Sequence, residues 1–215
     1  MAMACLVTVG CASTDLTSQR APDFKGKAYT KLLVWAGFED LALKKRAETK
    51  ISSAIVAKGG ASLVATEILF PGKEYSAEEV HAMCRANQVD GILVVTPTDA
   101  GHTEHYVPPT YHTYSSATGT ATTYGNTTYG QATGQSTTYT TGGYTMHKPW
   151  ANFSARLIDV QSGQVAWIAT ANSRGNALAD SADLVDSFAA RAVRTLVQDG
   201  ALVVAPPTSA TPRHP

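Results

Sequence analysis

The sequence predicts an α/β fold: one domain built on a mixed β-sheet with helices packed against it. Short apolar runs of strand length alternate with longer segments of helical period. Hydrophobic residues make up 44% of the 215 residues, which is enough for a real core. One Thr/Tyr/Gly-rich insertion interrupts this pattern. The predicted order is therefore strand, helix, strand, helix, strand, insertion, β-hairpin, helix.

Two different hydrophobic patterns predict the first strand and the first helix of the domain. Residues 31–38 form an apolar run, which predicts a strand. Residues 39–58 are predicted to be helical, because apolar side chains recur every four residues and share one face. These side chains are Leu43, Ala47, Ile51 and Ile55. Two glycines then end the helix.

A second strand over residues 61–70 precedes a helix that begins at a capping box. Ser76 and Glu79 have the spacing at which each side chain satisfies the other's backbone N–H. Cys84 falls on the apolar face of this helix, which predicts a buried structural cysteine rather than a nucleophile. The continuous apolar run at 89–95 is typical of a central parallel strand.

After the insertion, alternating segments at 150–160 and 164–171 predict a β-hairpin with a glycine-containing turn. Residues 180–198 form the last predicted helix, so the α/β domain spans 29–204. The Pro- and Thr-rich residues 205–215 are predicted to be disordered.

The insertion, residues 108–148, has a low-complexity sequence. Residues 111–146 contain Thr, Tyr, Gly, Ser and Gln but no Asp, Glu, Lys or Arg. A five-residue frame places a tyrosine at the third position of four repeats: Tyr124, Tyr129, Tyr139 and Tyr144. An odd step should send successive tyrosines to opposite faces of a strand. We expect a two-sided polar hairpin or a mobile arm.

Such an arm has three interpretations. It contacts a partner strand, a saccharide or another protomer through its tyrosines, or it is a surface loop without a partner. A hairpin that crosses a membrane is the third, but lipid-facing strands alternate apolar residues and this segment has almost none.

The N-terminus resembles the lipobox of bacterial lipoproteins. An apolar run ends in small residues before Cys11, and the resemblance implies cleavage before Cys11 and lipid attachment to it. Residues 1–11 would then be signal and lipobox, and the polar residues 12–28 a flexible tether. The run lacks a basic region and is short for a secretory signal, which a start codon upstream of Met1 would explain. A frayed terminus of a cytosolic protein is the alternative.

Composition argues against several functional classes. With 17 basic and 17 acidic residues the formal net charge is +0, and no basic stripe with interleaved aromatics predicts nucleic-acid binding. No run reaches the ~20 apolar residues of a membrane-spanning helix. Phosphate-binding glycine loops and a Gly-x-Ser-x-Gly elbow are missing, and no cofactor is predicted.

Three histidines supply the one metal hypothesis. Neutral imidazoles of His102, His105 and His112 are the ligand type that Zn²⁺ takes in hydrolases. The segment looks like a loop with no scaffold to hold them, so solvated loop histidines are the competing interpretation.

Two segments carry a resemblance to a known group of proteins. Residues 87–95 read Asn-Gln-Val-Asp-Gly-Ile-Leu-Val-Val, and residues 155–167 contain Arg156, Asp159, Gly163 and Trp167. This pattern resembles the periplasmic α/β lipoprotein domains related to the curli secretion channel and to the N-terminal domain of the Tol system's B protein. The resemblance implies a hairpin whose residues are structural, in an envelope protein that assists assembly or export. The apolar strands of the curli channel are missing, so pore formation does not carry over.

Together these features predict a non-catalytic lipoprotein on the periplasmic face of the outer membrane. It would act as a binding or assembly and export accessory module, with the membrane as partner through its lipid anchor. An envelope protein, a saccharide or further copies of the chain are the other expected partners, and nucleic acid is not. A metal-dependent hydrolase and an oligomeric secretion-channel subunit are the alternatives.

Overall fold

The computed structural model describes residues 11–203, which divide into two compact units. An α/β unit comprises residues 11–103 and 148–203. The second unit, Glu104–His147, is called the arm below. The signal predicted within residues 1–10 and the tail predicted at 205–215 lie outside the described residues.

The predicted α/β class with a mixed sheet is confirmed. The strands are β1 (Ala12–Arg20), β2 (Lys31–Ala36), β3 (Ala61–Val64), β4 (Gly91–Val107), β5 (Thr110–Tyr124), β6 (Thr127–Thr141), β7 (Tyr144–Asp159) and β8 (Val165–Gly175). Six of them form one sheet in the order β1-β8-β7-β4-β2-β3. β2 pairs in parallel with β3 and β4, whereas β8 pairs antiparallel with β1 and β7.

Residues 11–203 contain four α-helices, and a side chain caps the first turn of three of them. The four helices are α1 (Leu41–Ala57), α2 (Ala65–Ile68), α3 (Ala77–Ala86) and α4 (Ser181–Gln198). Ser76 and Glu79 form the predicted capping box at α3, and Asp180 forms a second with Asp183 at α4. Within residues 11–203, no helix combines the length and apolar character needed to cross a bilayer.

The core lies between one face of the sheet and the long helices α1 and α4. Ala47, Ile51 and Ile55 of α1 are buried in it, as their spacing predicts. Phe153 of β7 packs against Phe188 of α4, with ring centroids 4.6 Å apart. A smaller apolar cluster that includes the buried Cys84 joins α3 to the sheet.

The flexible tether predicted at residues 12–28 is wrong. β1 pairs with β8 at nine consecutive positions from Ala12↔Gly175 to Arg20↔Trp167, and Pro22–Phe24 forms a single 3-10 turn. The side chains of β1 are mostly polar, so this strand is held by backbone pairing, which the hydropathy of the sequence does not reveal. Thr14 Oγ1 lies 2.7 Å from Ser173 Oγ and 2.8 Å from Ser187 Oγ.

Two strand boundaries also differ from the prediction. The second strand ends at Val64, because residues 65–68 turn into the short helix α2. The strand predicted at 89–95 instead continues to Val107 as part of β4. Its distal half is polar and exposed, so the apolar run marked only the buried part of the strand.

Candidate functional site

Cys11, the lipidation position implied by the lipobox resemblance, is exposed and lies immediately before β1. Its carbonyl oxygen accepts a hydrogen bond from the Asn176 backbone N–H at 3.0 Å. The next residue, Ala12, already pairs with Gly175 of β8. A group attached to Cys11 would therefore adjoin the folded α/β unit without a spacer.

The hairpin between β7 and β8 is organised around Asp159. Its side chain is 2% exposed, and it forms an ion pair with Lys27 Nζ at 2.5 Å. The Ser162 N–H and hydroxyl donate to Asp159 Oδ2 at 2.9 and 2.7 Å. Burial alone would raise the pKa of Asp159, but these hydrogen bonds together hold it below its usual value. Gly163 adopts φ +70°, a conformation that favours glycine, and completes the turn.

Trp167 connects this hairpin to the end of α4. The side chain is 1% exposed, and its Nε1 donates to Asp199 Oδ2 at 2.6 Å. Ser18 of β1 donates to the same oxygen at 2.7 Å, and Arg20 donates to the Asp199 carbonyl at 2.8 Å. Arg156 lies exposed on β7 opposite Ile168. These contacts give Asp159, Gly163 and Trp167 architectural positions.

Buried polar groups at Glu48 and Tyr29 were not anticipated from the sequence. The Glu48 carboxylate accepts from the Ala36 N–H at 3.0 Å and from the Thr66 N–H at 2.9 Å, and so joins α1 to β2 and α2. Burial, together with the neighbouring Asp159 carboxylate, raises the pKa of Tyr29. Glu48 follows Ala47 on the otherwise apolar buried face of α1. Sequence periodicity identifies repeated apolar positions, so it does not show that a single acidic residue is buried there.

A cleft of about 510 Å³ lies in the α/β unit beyond the carboxyl end of β2. Phe38, Trp150 and Phe153 give it aromatic walls, and Glu39, Asp40 and His102 also line it. Gly101 lies against the Trp150 ring, and a Cβ there would approach the ring to 2.9 Å. The cleft has the size of a small-ligand pocket, with aromatic walls and a few polar groups.

The histidines proposed as metal ligands do not converge. His102 and His105 lie three residues apart on β4 rather than in a loop, so they face opposite sides of the strand. His112 stacks on Tyr139 at 4.9 Å between ring centroids, and its Nε2 lies 3.1 Å from Thr141 Oγ1. Within residues 11–203, no three His, Cys, Asp or Glu side chains are grouped to hold a metal ion.

The arm contains the polar hairpin that was one of the two predicted conformations. β5 and β6 pair antiparallel without a register shift from Thr110↔Thr141 to Tyr124↔Thr127. The two-residue turn has Gly125 at φ +60°. Every β6 residue is exposed, and so is every β5 residue except the half-buried His112.

The prediction that the tyrosines alternate between faces is wrong for this hairpin. In the observed register, even-numbered β5 residues share a face with odd-numbered β6 residues. Four tyrosines therefore lie on one face, called the tyrosine face: Tyr114, Tyr124, Tyr129 and Tyr139. The chain reverses between Tyr124 and Tyr129, and the repeat between Tyr129 and Tyr139 lacks a tyrosine. Tyr144 lies on β7.

Aromatic stacking occurs at one end of the tyrosine face. Tyr114 and Tyr139 stack with centroids 5.7 Å apart, and their hydroxyl oxygens are 3.2 Å apart. The hydrogen bond between them raises the pKa of Tyr139. The opposite face carries Tyr111 at one end and otherwise only Gly, Ala, Ser and Thr, and is called the small-residue face.

No family model matches this chain, and no curated protein sequence matches it. Solved structures give weak matches. A methionine variant of the PelC dodecamer from Paraburkholderia phytofirmans is 13% identical, with a TM-score of 0.49 over 88% of this chain and 99% of that chain. A second PelC dodecamer from the same organism is 13% identical, with a TM-score of 0.47 and the same coverage of 88% and 99%.

Lipoprotein GNA1162 from Neisseria meningitidis is 12% identical, with a TM-score of 0.41 over 79% of this chain and 99% of that chain. The similar structures thus include a bacterial lipoprotein and a dodecameric protein. At these values the likeness assigns no function to this chain.

Proposed function

We propose that this chain is a non-catalytic lipoprotein of the bacterial envelope that faces the periplasm from the outer membrane. The α/β unit is its anchored body, and the arm is its contact surface for assembly or export. The observation that carries this proposal is the exposed Cys11 immediately before the paired strand β1.

The position of Cys11 supports attachment at a membrane surface. Acyl chains contribute ~0.8 kcal/mol per buried CH₂, so several chains on one cysteine hold a protein stably on a bilayer. Because β1 is paired from Ala12 onward, such an anchor would hold the α/β unit close to the lipid headgroups.

The remaining described cysteine supports a role without catalysis. Cys84 is buried, and this burial raises the pKa of its thiol, so little thiolate is present at neutral pH. The dispersed histidines leave the hydrolase alternative without a ligand set in the described residues. Asp159 and Trp167 are engaged in the architecture of the β7–β8 hairpin.

Membrane fractionation of a Cys11→Ser variant tests the proposal. The full-length protein should sediment with outer membranes and dissolve in detergent, whereas Cys11→Ser should lose at least nine-tenths of its membrane association. The matched control is Cys84→Ser, which removes a buried thiol and should leave the protein in the membrane fraction. If Cys11→Ser stays membrane-bound, or the unsubstituted protein is found in the cytosol, the proposal is wrong.

A further inference from the structure

We propose that the partner of the arm is the arm of another copy of this chain. The two open edges of the β5–β6 hairpin pair with neighbouring hairpins, so that adjacent protomers build one intermolecular antiparallel sheet. This inference rests on the proposed role of the arm as a contact surface and names its partner.

The hairpin has almost no core of its own. β5 and β6 are each 15 residues long, no residue of either strand is buried, and only His112 is half-buried. An isolated two-stranded hairpin is marginally stable in water, because stability requires further strands or a packed face. Additional strands along its edges would supply the missing backbone hydrogen bonds.

The edges of the hairpin lack the features that normally prevent strand pairing. Neither strand contains a charged residue, a proline or a bulge. The edge strands of the α/β unit differ, since β1 carries Asp15 and Arg20 and β3 is only four residues long. The edges of the six-stranded sheet are thus protected against pairing with another strand, whereas the edges of the β5–β6 hairpin are not.

The sequence of the arm favours a second copy as the occupant. The absence of charge means that identical hairpins do not repel one another. β5 and β6 have equal length and pair at all 15 positions, so this sequence already pairs with itself. Hydroxyl contacts follow the small-residue face, with Thr113 and Thr138 oxygens 2.9 Å apart and Thr123 and Thr128 oxygens 3.1 Å apart. A neighbouring copy would present the same row of threonine hydroxyl groups.

The geometry of the turn shows which residues direct their backbone N–H and C=O groups toward the free edges of the hairpin. A two-residue loop is flanked by a hydrogen-bonded pair, here Tyr124 and Thr127, and pair types alternate from there. Residues of the small-residue face therefore form the non-hydrogen-bonded pairs, whose side chains are closer. The close approach of a Cβ at Gly119 to the Ala132 Cβ, 3.5 Å, agrees with this. The backbone N–H and C=O groups of the small-residue-face residues therefore point to the free edges of the hairpin.

The inference includes one orientation of neighbouring copies. All hairpins of the joined sheet point the same way, so that β5 of one copy meets β6 of the next in antiparallel fashion. Each copy then uses both edges, which is a head-to-tail contact that yields a ring or an open array. Every tyrosine face lies on the same side of the joined sheet.

Proline substitution at the free edges tests the proposal in the full-length protein purified in detergent. Ala117→Pro combined with Ala132→Pro removes one outward N–H from each edge and leaves the inward hydrogen bonds. The unsubstituted protein should be an oligomer by light scattering coupled to size exclusion, and the proline variant should fall to monomer mass. The matched control, Ala117→Thr with Ala132→Thr, keeps both N–H groups and should remain oligomeric.

Cross-linking between copies separates loss of pairing from loss of the hairpin. In a Cys84→Ala background, protein carrying Ala117→Cys is mixed with protein carrying Ala132→Cys and treated with a short thiol-reactive cross-linker. Cross-linked dimers should form in the mixture and not with either variant alone, because β5 meets β6. The Cys84→Ala background alone should give none.

Three results would overturn the inference. These are a monomeric unsubstituted protein, a proline variant that keeps its oligomeric mass, and cross-links between identical variants only. If the chain is monomeric but a different protein is retained only when residues 110–141 are present, the proposed contact role stands and self-pairing is wrong. If the arm binds neither, both proposals are wrong.

Discussion

The α/β unit and the arm are both rich in long strands, but they differ in how those strands are stabilised. In β7, Phe153 and Leu157 are buried against helices, whereas β6 has no buried side chain. Hydroxyl pairs and stacked rings line the arm, where water competes for every contact. A strand pattern alone therefore does not imply a core, and four predictions make this difference measurable.

Removal of an aromatic side chain should give the largest contrast between the two units. Trp167→Ala removes a buried indole and its bond to Asp199, and should lower the free energy of unfolding by ~3–5 kcal/mol. Tyr129→Ala removes a side chain that is 68% exposed and should change it by no more than ~0.5 kcal/mol. Urea denaturation followed by far-UV circular dichroism measures both. Equal losses would mean that the arm has a core of its own.

The buried Glu48 should give the next largest effect. Glu48→Ala leaves the Ala36 and Thr66 N–H groups without their acceptor, so the free energy of unfolding should fall by ~2–4 kcal/mol. Glu67→Ala, in α2 but not buried, is the control and should change it by ~0.5 kcal/mol or less. A Glu48→Ala protein of unchanged stability would contradict the role assigned to this carboxylate.

Acid should destabilise the α/β unit through Asp159. Because the folded state lowers the pKa of this carboxyl, its stabilising contribution is present above the unfolded pKa of ~3.9 and is lost as pH falls through the lower folded pKa. The unfolding free energy measured from pH 6 to pH 2 should therefore decrease below about pH 4.

Asp159→Asn should lower stability at pH 6 by ~1–3 kcal/mol and weaken the acid dependence. The Lys27 side chain is 38% exposed, so its part of this effect is reduced by solvent and should decrease further in high salt. If Asp159→Asn has the same pH profile as the unsubstituted protein, the assignment is wrong.

Glycine substitution should give the smallest contrast. Gly163→Ala forces a Cβ into a left-handed conformation at φ +70° and should destabilise by ~1 kcal/mol. Gly130 lies in β6 without a positive φ, and a Cβ there meets nothing within 4 Å. Gly130→Ala should therefore leave the chain's own unfolding free energy within ~0.5 kcal/mol, as thermal unfolding in dilute solution would check. A larger loss at Gly130 would indicate a contact on the small-residue face.

The elements with strong local signals were predictable from the sequence. Apolar spacing located α1 and its buried residues Ala47, Ile51 and Ile55, and the Ser76–Glu79 pair marked the start of α3. The alternation at 150–160 predicted a strand, which the structure shows as part of β7. These signals are local, because a repeating burial period or a cap depends on residues only a few positions apart.

Long-range pairing was decided only by the tertiary structure. β1 is polar, so its place beside β8 depends on backbone pairing with residues 147 to 163 positions away. The register of β5 and β6 brought the tyrosines to one face, although their five-residue spacing predicts alternation. The histidines were separated by the extension of β4 to Val107. The partner of a strand and its register are set by contacts between residues distant in sequence, so a local sequence pattern does not predict them.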